Sequence, residues 1–222
     1  MASSMTANAS PDTGDQVARI VSLLRGVSLE AARPSGDDLV ALSQSLLPTT
    51  LIYLPVIPTR PAEEVIEAAV QVRAAGFEPV PHLAARNFRD AAALENFLSR
   101  LTAKADVHQV LLIGGDHPEH GSFHTSFDVL KSGLLSKYRI EGIGIAGYPD
   151  GHPVIPNWEL RRALEAKIEI AEHAGLKVHI VTQFCFDVGA ITRWIETVRN
   201  LGFDHTIRVG LAGPTNLMTL LR

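Results

Sequence analysis

The sequence predicts an α/β fold, a (β/α)8 TIM-type barrel that lacks its eighth strand and helix. After a short polar segment at its start, the sequence alternates short β-branched runs with longer segments of helical period up to its last residue. The predicted strands show no polar alternation, which is typical of parallel strands buried on both faces. Polar residues stand at or just beyond the carboxyl ends of these strands. In a barrel that rim is the active-site face.

Seven strands are predicted before the sequence ends. An open doubly wound sheet would fit the same alternation, but the G-x-G-x-x-G motif is absent from the first strand–helix junction, which reads LEAARPSGDD. A barrel is therefore preferred, and without an eighth strand its two open edges invite a second copy of the chain or a barrel-completing partner. The predicted strands are residues 26–30, 49–55, 77–84, 109–115, 142–148, 178–184 and 205–213.

The helical segments carry their own boundary signals. PAEEVIEAAVQVRAAG and NWELRRALEAKIEIAEHAG have apolar residues three and four apart, and each has a glycine at its end. Glycine is favoured there because a helix commonly ends on a left-handed residue. Residues 1–16 are small and polar, so we predict a disordered tail followed by a single domain over residues 17–222.

The amino-acid composition excludes some classes of function for this protein. A hydrophobic content of 46% is enough for one well-buried domain. The net charge is -4 and no run of lysine or arginine occurs, which argues against nucleic acid as a partner. No apolar run is long enough to cross a bilayer. Cys185 is the one cysteine, so a reducing, cytoplasmic location is expected.

Three rim residues are candidates for chemistry, and each has a simpler alternative. Glu30 ends an apolar strand, where an unpartnered carboxylate is costly, unless it is merely a solvated strand-end residue. Asp116 follows two glycines that permit close approach of a ligand, although aspartate is also common in turns and helix caps. Gln183 could bond the amide edge of a heterocycle or a neighbouring loop.

The segment GGDHPEHGSFH raises the question of a metal site. It contains His117, His120 and His124, but glycine and proline interrupt the regular spacing that zinc ligands usually have. A polar loop over an anionic ligand is the preferred interpretation, and no metal is predicted. Cys185 lies in an apolar setting without a histidine motif, which is typical of a small buried hydrophobic residue.

Six segments taken in order resemble the methylenetetrahydrofolate reductase family, from about Val27 to the end. They are VSLEAARP, VPHLAARN, LLIGGDHP, IGIAGYPDGHP, IVTQFCFD and VGLAGPTNL. The resemblance implies a TIM barrel that holds FAD noncovalently along the carboxyl-end rim. It also implies transfer of hydride from NADH or NADPH through the flavin to 5,10-methylenetetrahydrofolate, or the reverse oxidation. Such an enzyme would serve one-carbon metabolism and methionine biosynthesis, with folate as its substrate.

The resemblance also implies roles for individual residues. Glu30 would be the general acid that helps to open the five-membered ring of the folate, and a partly apolar pocket would help it to keep its proton. Asp116 would lie between flavin and pterin, and Gln183 would pair with the pterin. Lys167, which otherwise reads as a solvated helix lysine, would contact the flavin. The flavin-contacting positions implied in this way are His82, Gly115, Asp116, Tyr148, His152 and Lys167.

Some positions depart from the family pattern. Gly114 stands where most members have an arginine that contacts the flavin phosphates, and Pro55 stands where a threonine is usual. Arg86 and Arg60 are the candidates to supply the missing cation. Together with the open barrel, these departures favour a second hypothesis. In it, the chain is a catalytically reduced folate- or flavin-binding, or partner-binding, barrel protein.

Overall fold

Seven parallel strands form one sheet in the computed structural model, which describes residues 13–57, 60–115 and 121–213. Each strand pairs in parallel with the next along the chain, so the order is sequential from first to last. All seven predicted strands are confirmed, although each is shorter than predicted. They are β1 (Leu29–Glu30), β2 (Leu51–Leu54), β3 (Glu78–Ala84), β4 (Gln109–Ile113), β5 (Gly142–Gly147), β6 (Lys177–Thr182) and β7 (Thr206–Arg208).

Helices connect the strands and confirm the predicted alternation. Gly76 and Gly175 follow two of them with φ of 86° and 73°, the left-handed conformation expected of a glycine at a helix end. The first helix begins at Thr13, before the predicted tail ends at Gln16. The helices are α1 (Thr13–Leu24), α2 (Gly36–Ser43), α3 (Ala62–Ala74), α4 (Ala91–Ala105), α5 (Ser126–Lys131), α6 (Leu134–Lys137), α7 (Asn157–His173) and α8 (Val188–Asn200).

The sheet is curled. Tyr53 on β2 and His179 on β6 are joined by a hydrogen bond of 2.7 Å between their side chains. In the strand order of the sheet, β6 is the fourth strand after β2. In a flat sheet with neighbouring strands about 4.8 Å apart, these two strands would be separated by about 19 Å. The sheet therefore curls into a half-barrel, consistent with part of a TIM-type barrel. Residues 214–222 lie outside the described residues, so the predicted absence of an eighth strand stays a prediction.

Alternate residues of the strands face two different cores, as the period of two in a strand requires. The larger core lies between the outer face of the sheet and the helices, and Ile52, Leu54 and Leu83 are fully buried in it. The smaller core fills the inside of the curled sheet. It consists of Tyr53, Val80 and Leu111, with Leu51, Ile113 and Val181 packed against them.

The open side of the half-barrel lies between β1 and β7, which no backbone ladder joins in the described part of the chain. One side chain spans it: Arg208 Nη1 donates a hydrogen bond of 2.9 Å to the carbonyl oxygen of Gly26. This contact ties the last strand to the residues that precede the first. In the same described ranges, no helix is long and apolar enough to cross a membrane.

Candidate active site

Glu30 and His82 meet at the rim of the half-barrel. Glu30 is the last residue of β1, and its Oε2 lies 3.6 Å from Nε2 of His82 on β3. The Glu30 side chain is 62% exposed, whereas that of His82 is 9% exposed. The exposed carboxyl group of Glu30 therefore lies at the mouth of the barrel, beside a buried histidine of the sheet.

Burial moves the pKa values of both groups away from their ordinary range. It raises the pKa of Glu30 and lowers the pKa of His82 to about 4. His82 is therefore neutral near pH 7, and Glu30 holds its proton at higher pH than a fully solvated glutamate does. The buried Nε2 of His82 has no hydrogen-bond partner among the described residues. Such an unpartnered polar atom is costly unless a ligand or water satisfies it.

Below the rim, Tyr53 links the two histidines of the interior. Its ring makes edge contacts with His82 at 6.3 Å and with His179 at 6.2 Å between centroids. Burial raises the pKa of Tyr53 and is the main cause that lowers the pKa of His179 to about 4. Because a phenol is a better donor than a neutral imidazole, we assign the Tyr53 hydroxyl as the donor of the 2.7 Å hydrogen bond and the His179 proton to Nδ1.

Gly144 and Arg208 complete the surroundings of this pair. Gly144 faces His179 across the β5–β6 pair, and a side chain there would place its Cβ 3.0 Å from the His179 Nε2. The positive charge of Arg208 further lowers the pKa of His179. Sequence reasoning missed Tyr53 and His179. One signal was present, because His179 shares a strand face with Gln183, four residues later.

The end of β4 forms a tight turn. Gly115 has φ of 84°, and a Cβ there would lie 3.0 Å from the Cβ of Ala84. The amide of Arg86 donates to the carbonyl oxygen of Gly114 at 3.0 Å, which places Arg86 beside the position that lacks the family arginine. Its Nε donates to the carbonyl oxygen of His124.

Several predicted residues of this region cannot be placed. Asp116, His117 and His120 lie outside the described residues. Among the residues that are described, no three metal-binding side chains form a cluster. Arg60, the other candidate for a compensating cation, pairs with Glu64 at 3.2 Å.

The loop after β5 holds Tyr148 and His152 together. Their rings make an edge contact at 5.6 Å, and Nδ1 of His152 accepts hydrogen bonds from the amides of Val154 and Ile155, each at 3.2 Å. Because Nδ1 is the acceptor in these bonds, Nε2 is the nitrogen that can donate to a ligand. The loop that carries Tyr148 and His152 is thus held in place by hydrogen bonds between the His152 side chain and the loop's own backbone amides.

Gln183 lies at the same rim, directly after β6. Its backbone amide donates a 2.7 Å hydrogen bond to the carbonyl oxygen of Gly147, which aligns the ends of β5 and β6. Its side chain is exposed and has no hydrogen bond within the described ranges. The side-chain amide of Gln183 is therefore available to a ligand above the barrel.

Lys167 is not brought to this rim. It lies ten residues after Asn157, the first residue of α7, which corresponds to about 15 Å along the helix. The side chain is partly buried, and burial lowers its pKa. The structure therefore brings together Glu30 with His82 and Tyr148 with His152, and it leaves Lys167 apart from both pairs.

The curled parallel sheet and the polar residues at its carboxyl-end rim define an α/β half-barrel with a candidate active site at the mouth. The chain belongs to the methylenetetrahydrofolate reductase family, whose model matches residues 59–221. It is 30% identical over 159 residues to methylenetetrahydrofolate reductase 2 of Saccharomyces cerevisiae. This match covers 66% of the chain but only 25% of the yeast protein, so the chain spans about a quarter of that relative's length.

Among solved structures, the chain resembles a mandelate racemase/muconate lactonizing enzyme from a marine actinobacterium. The TM-score is 0.50 at 10% identity, over 93% of this chain and 52% of the other. At that identity the likeness concerns the fold alone. It agrees with the half-barrel described above.

Proposed function

We propose that this chain is a flavin-dependent oxidoreductase that interconverts 5,10-methylenetetrahydrofolate and 5-methyltetrahydrofolate. Family membership supports the folate reductase chemistry. The observation that carries the proposal is the pair of Glu30 and His82, a carboxyl with a raised pKa 3.6 Å from a neutral histidine at the mouth of the barrel. A raised pKa lets a carboxyl keep its proton to higher pH, which is the direction that a general acid requires.

The residues present fit a flavin at the rim. The buried Nε2 of His82 needs a partner, His152 can donate through Nε2, and Gly115 forms the tight turn at the end of β4 against Ala84. We propose that Tyr148 and Asp116 hold FAD together with these three residues. When bound, FAD would supply the hydride transfer between NADH or NADPH and the folate.

Other residues would act on the folate. We propose that Glu30 donates the proton that opens the five-membered ring, and that the exposed amide of Gln183 pairs with the pterin. Asp116 would stabilise charge on the bound folate. Lys167 remains a proposed flavin contact, although its place about 15 Å along α7 makes it the weakest of the set.

A cation for the flavin phosphates can come from Arg86. Its backbone amide bonds to Gly114, where most of the family has arginine, and its guanidinium is exposed. Arg60 is less suited because it already pairs with Glu64. We also propose a cytoplasmic enzyme of one-carbon metabolism and methionine biosynthesis, with a second copy or a completing partner on the open side of the half-barrel.

One observation favours the second candidate, a catalytically reduced folate- or flavin-binding, or partner-binding, barrel. The edge strands are short, two residues in β1 and three in β7, and Arg208 spans the gap between them through a single hydrogen bond to Gly26. A loosely closed barrel holds its rim residues less rigidly, and rigid positioning is what catalysis requires.

An absorbance spectrum separates the two candidates. The purified protein is measured as isolated, after addition of FAD, and after addition of NADH and NADPH in the absence of oxygen. The proposed function predicts a flavin spectrum that bleaches with a nicotinamide and recovers when methylenetetrahydrofolate is added. Bound flavin that does not bleach, or no binding at micromolar protein, would favour the reduced barrel.

A further inference from the structure

A second cavity lies outside the barrel, between α7 and α8. Its volume is about 430 Å³, within the range of small-molecule sites. It is lined by the carboxyl end of β5, the first two turns of α7 and residues along most of α8. Tyr53 and His179 do not line it, and Tyr148 is the one lining residue that the proposed function uses. Among the residues that line it are Trp158, Arg161, Arg193, Trp194 and Leu201.

Both tryptophans of the chain line this cavity. Trp158, in the first turn of α7, is 62% exposed, which is unusual for so large an apolar side chain. Trp194, on α8, packs its ring against the backbone of β5. A side chain at Gly147 would place its Cβ 2.6 Å from that ring, so glycine is required there. Two indole rings thus border one space, which favours a planar aromatic ligand.

The charge of the cavity is positive. Arg161 and Arg193 line it, and no aspartate or glutamate does. Arg161 has a neighbouring carboxylate on its own helix, Glu165 at 3.6 Å. The guanidinium of Arg193 has no hydrogen bond or ion pair within the described part of the chain.

The start of α7 adds to this charge. Asn157 and Trp158, its first two residues, line the cavity, and the preceding Pro156 provides no side-chain cap. The amino-terminal end of a 17-residue helix therefore contributes partial positive charge and free amide groups at the same place.

We propose that this cavity binds a small aromatic carboxylate. The ring would lie between Trp158 and Trp194, and the carboxylate would bond the unpaired guanidinium of Arg193. Arginine is suited to this role because its planar group binds carboxylates through two parallel hydrogen bonds. The inference does not depend on the function of the rim.

Calorimetric titration with biphenyl-4-carboxylate and with its neutral analogue biphenyl-4-carboxamide tests the proposal. The carboxylate should bind about tenfold or more tightly than the carboxamide, since a charge-assisted hydrogen bond to the guanidinium is stronger than a neutral one. Arg193→Gln should remove that preference. Arg19→Gln, a change of an exposed arginine on α1, should leave it intact. Quenching of indole fluorescence reports directly on the site, because no tryptophan lies elsewhere.

Three results would overturn the proposal. Equal affinity for the two probes would show that the charge plays no part, and retention of the preference in Arg193→Gln would place the anion elsewhere. Loss of probe binding when FAD saturates the protein would make the cavity part of the flavin site. Circular dichroism of Arg193→Gln confirms that a loss of binding is not a loss of folding.

Discussion

The hydroxyl of Tyr53 lies 2.7 Å from Nε2 of His179, although 126 residues separate the two in the chain. The bond crosses the inside of the half-barrel from β2 to β6. It is also the link between two buried histidines, because the ring of Tyr53 contacts that of His82. The rim pair of Glu30 and His82 thus rests on a polar contact that holds opposite walls of the sheet together.

Replacement of Tyr53 by phenylalanine should destabilise the fold. The change removes the donor and leaves the buried Nε2 of His179 without a partner, at a cost of about 1–3 kcal/mol in the free energy of unfolding. Tyr138→Phe is the matched control, because its hydroxyl bonds Glu95 near the surface and that carboxylate keeps Lys137 as a partner. Urea unfolding measures both variants. Equal losses would contradict the importance of the interior bond.

Stability should fall with acid because two histidines are buried in the neutral form. Burial lowers the pKa of His82 and that of His179 to about 4, below the ordinary value of 6.5. Between these values the unfolded chain binds more protons than the folded chain, so unfolding becomes easier as pH falls from about 6.5 to 4. For one histidine the loss is on the order of 3 kcal/mol.

The variant His179→Gln isolates this effect. Glutamine can still accept the hydrogen bond from Tyr53 but does not titrate, so urea unfolding at pH 7 and at pH 4.5 should show a smaller loss than in the unchanged protein. The difference between the two proteins removes the contribution of the carboxylates, which they share. An identical pH dependence would mean that His179 is not buried in the neutral form.

Gly115→Ala should cost both stability and flavin binding. An alanine at position 115 must adopt a backbone φ of 84° and place its Cβ 3.0 Å from that of Ala84. A decrease of about 1 kcal/mol or more in the free energy of unfolding is therefore expected. Gly114→Ala is the neighbouring control, since its Cβ would meet no atom within 4 Å. Thermal unfolding and FAD titration compare the two. A larger effect at 114 would contradict the described turn.

Glu30→Gln should separate the two half-reactions. Reduction of bound FAD by NADH should stay nearly intact, while folate reduction should fall by about a hundredfold or more, because a general acid typically contributes this much. Glu141→Gln, a change of an exposed carboxylate paired with Lys177, is the control. Stopped-flow absorbance follows each half-reaction. Equal loss in both would contradict the role assigned to Glu30.

The strands and helices could be predicted from the sequence because their signals are local. Runs such as QVLLIGG and GIGIAGY are apolar throughout, as parallel strands covered on both faces must be, and each has a neighbouring segment of helical period. The strand lengths were overestimated at the edges. Within the described residues, β1 and β7 have a partner strand on one side only, so fewer backbone hydrogen bonds hold their ends.

The rim was predicted in part for the same reason. Glu30, His82 and Gln183 stand at strand ends, and a parallel sheet brings its carboxyl ends to one edge whatever its curvature. Lys167 was placed by its spacing from GHP, but spacing along a helix does not say how far along the axis a ligand lies. The structure sets it apart from the two rim pairs.

The sequence by itself determined the order of strands and helices, their parallel pairing and the face on which polar residues collect. These follow from period, turn chemistry and chain connectivity, which act over a few residues. Only the tertiary structure decided that Tyr53 bonds His179, that His82 loses its ordinary pKa and that two tryptophans enclose one cavity. The first of these depends on how far the sheet curls, which brings together residues 126 positions apart, and the other two depend on packing between separate elements of the fold.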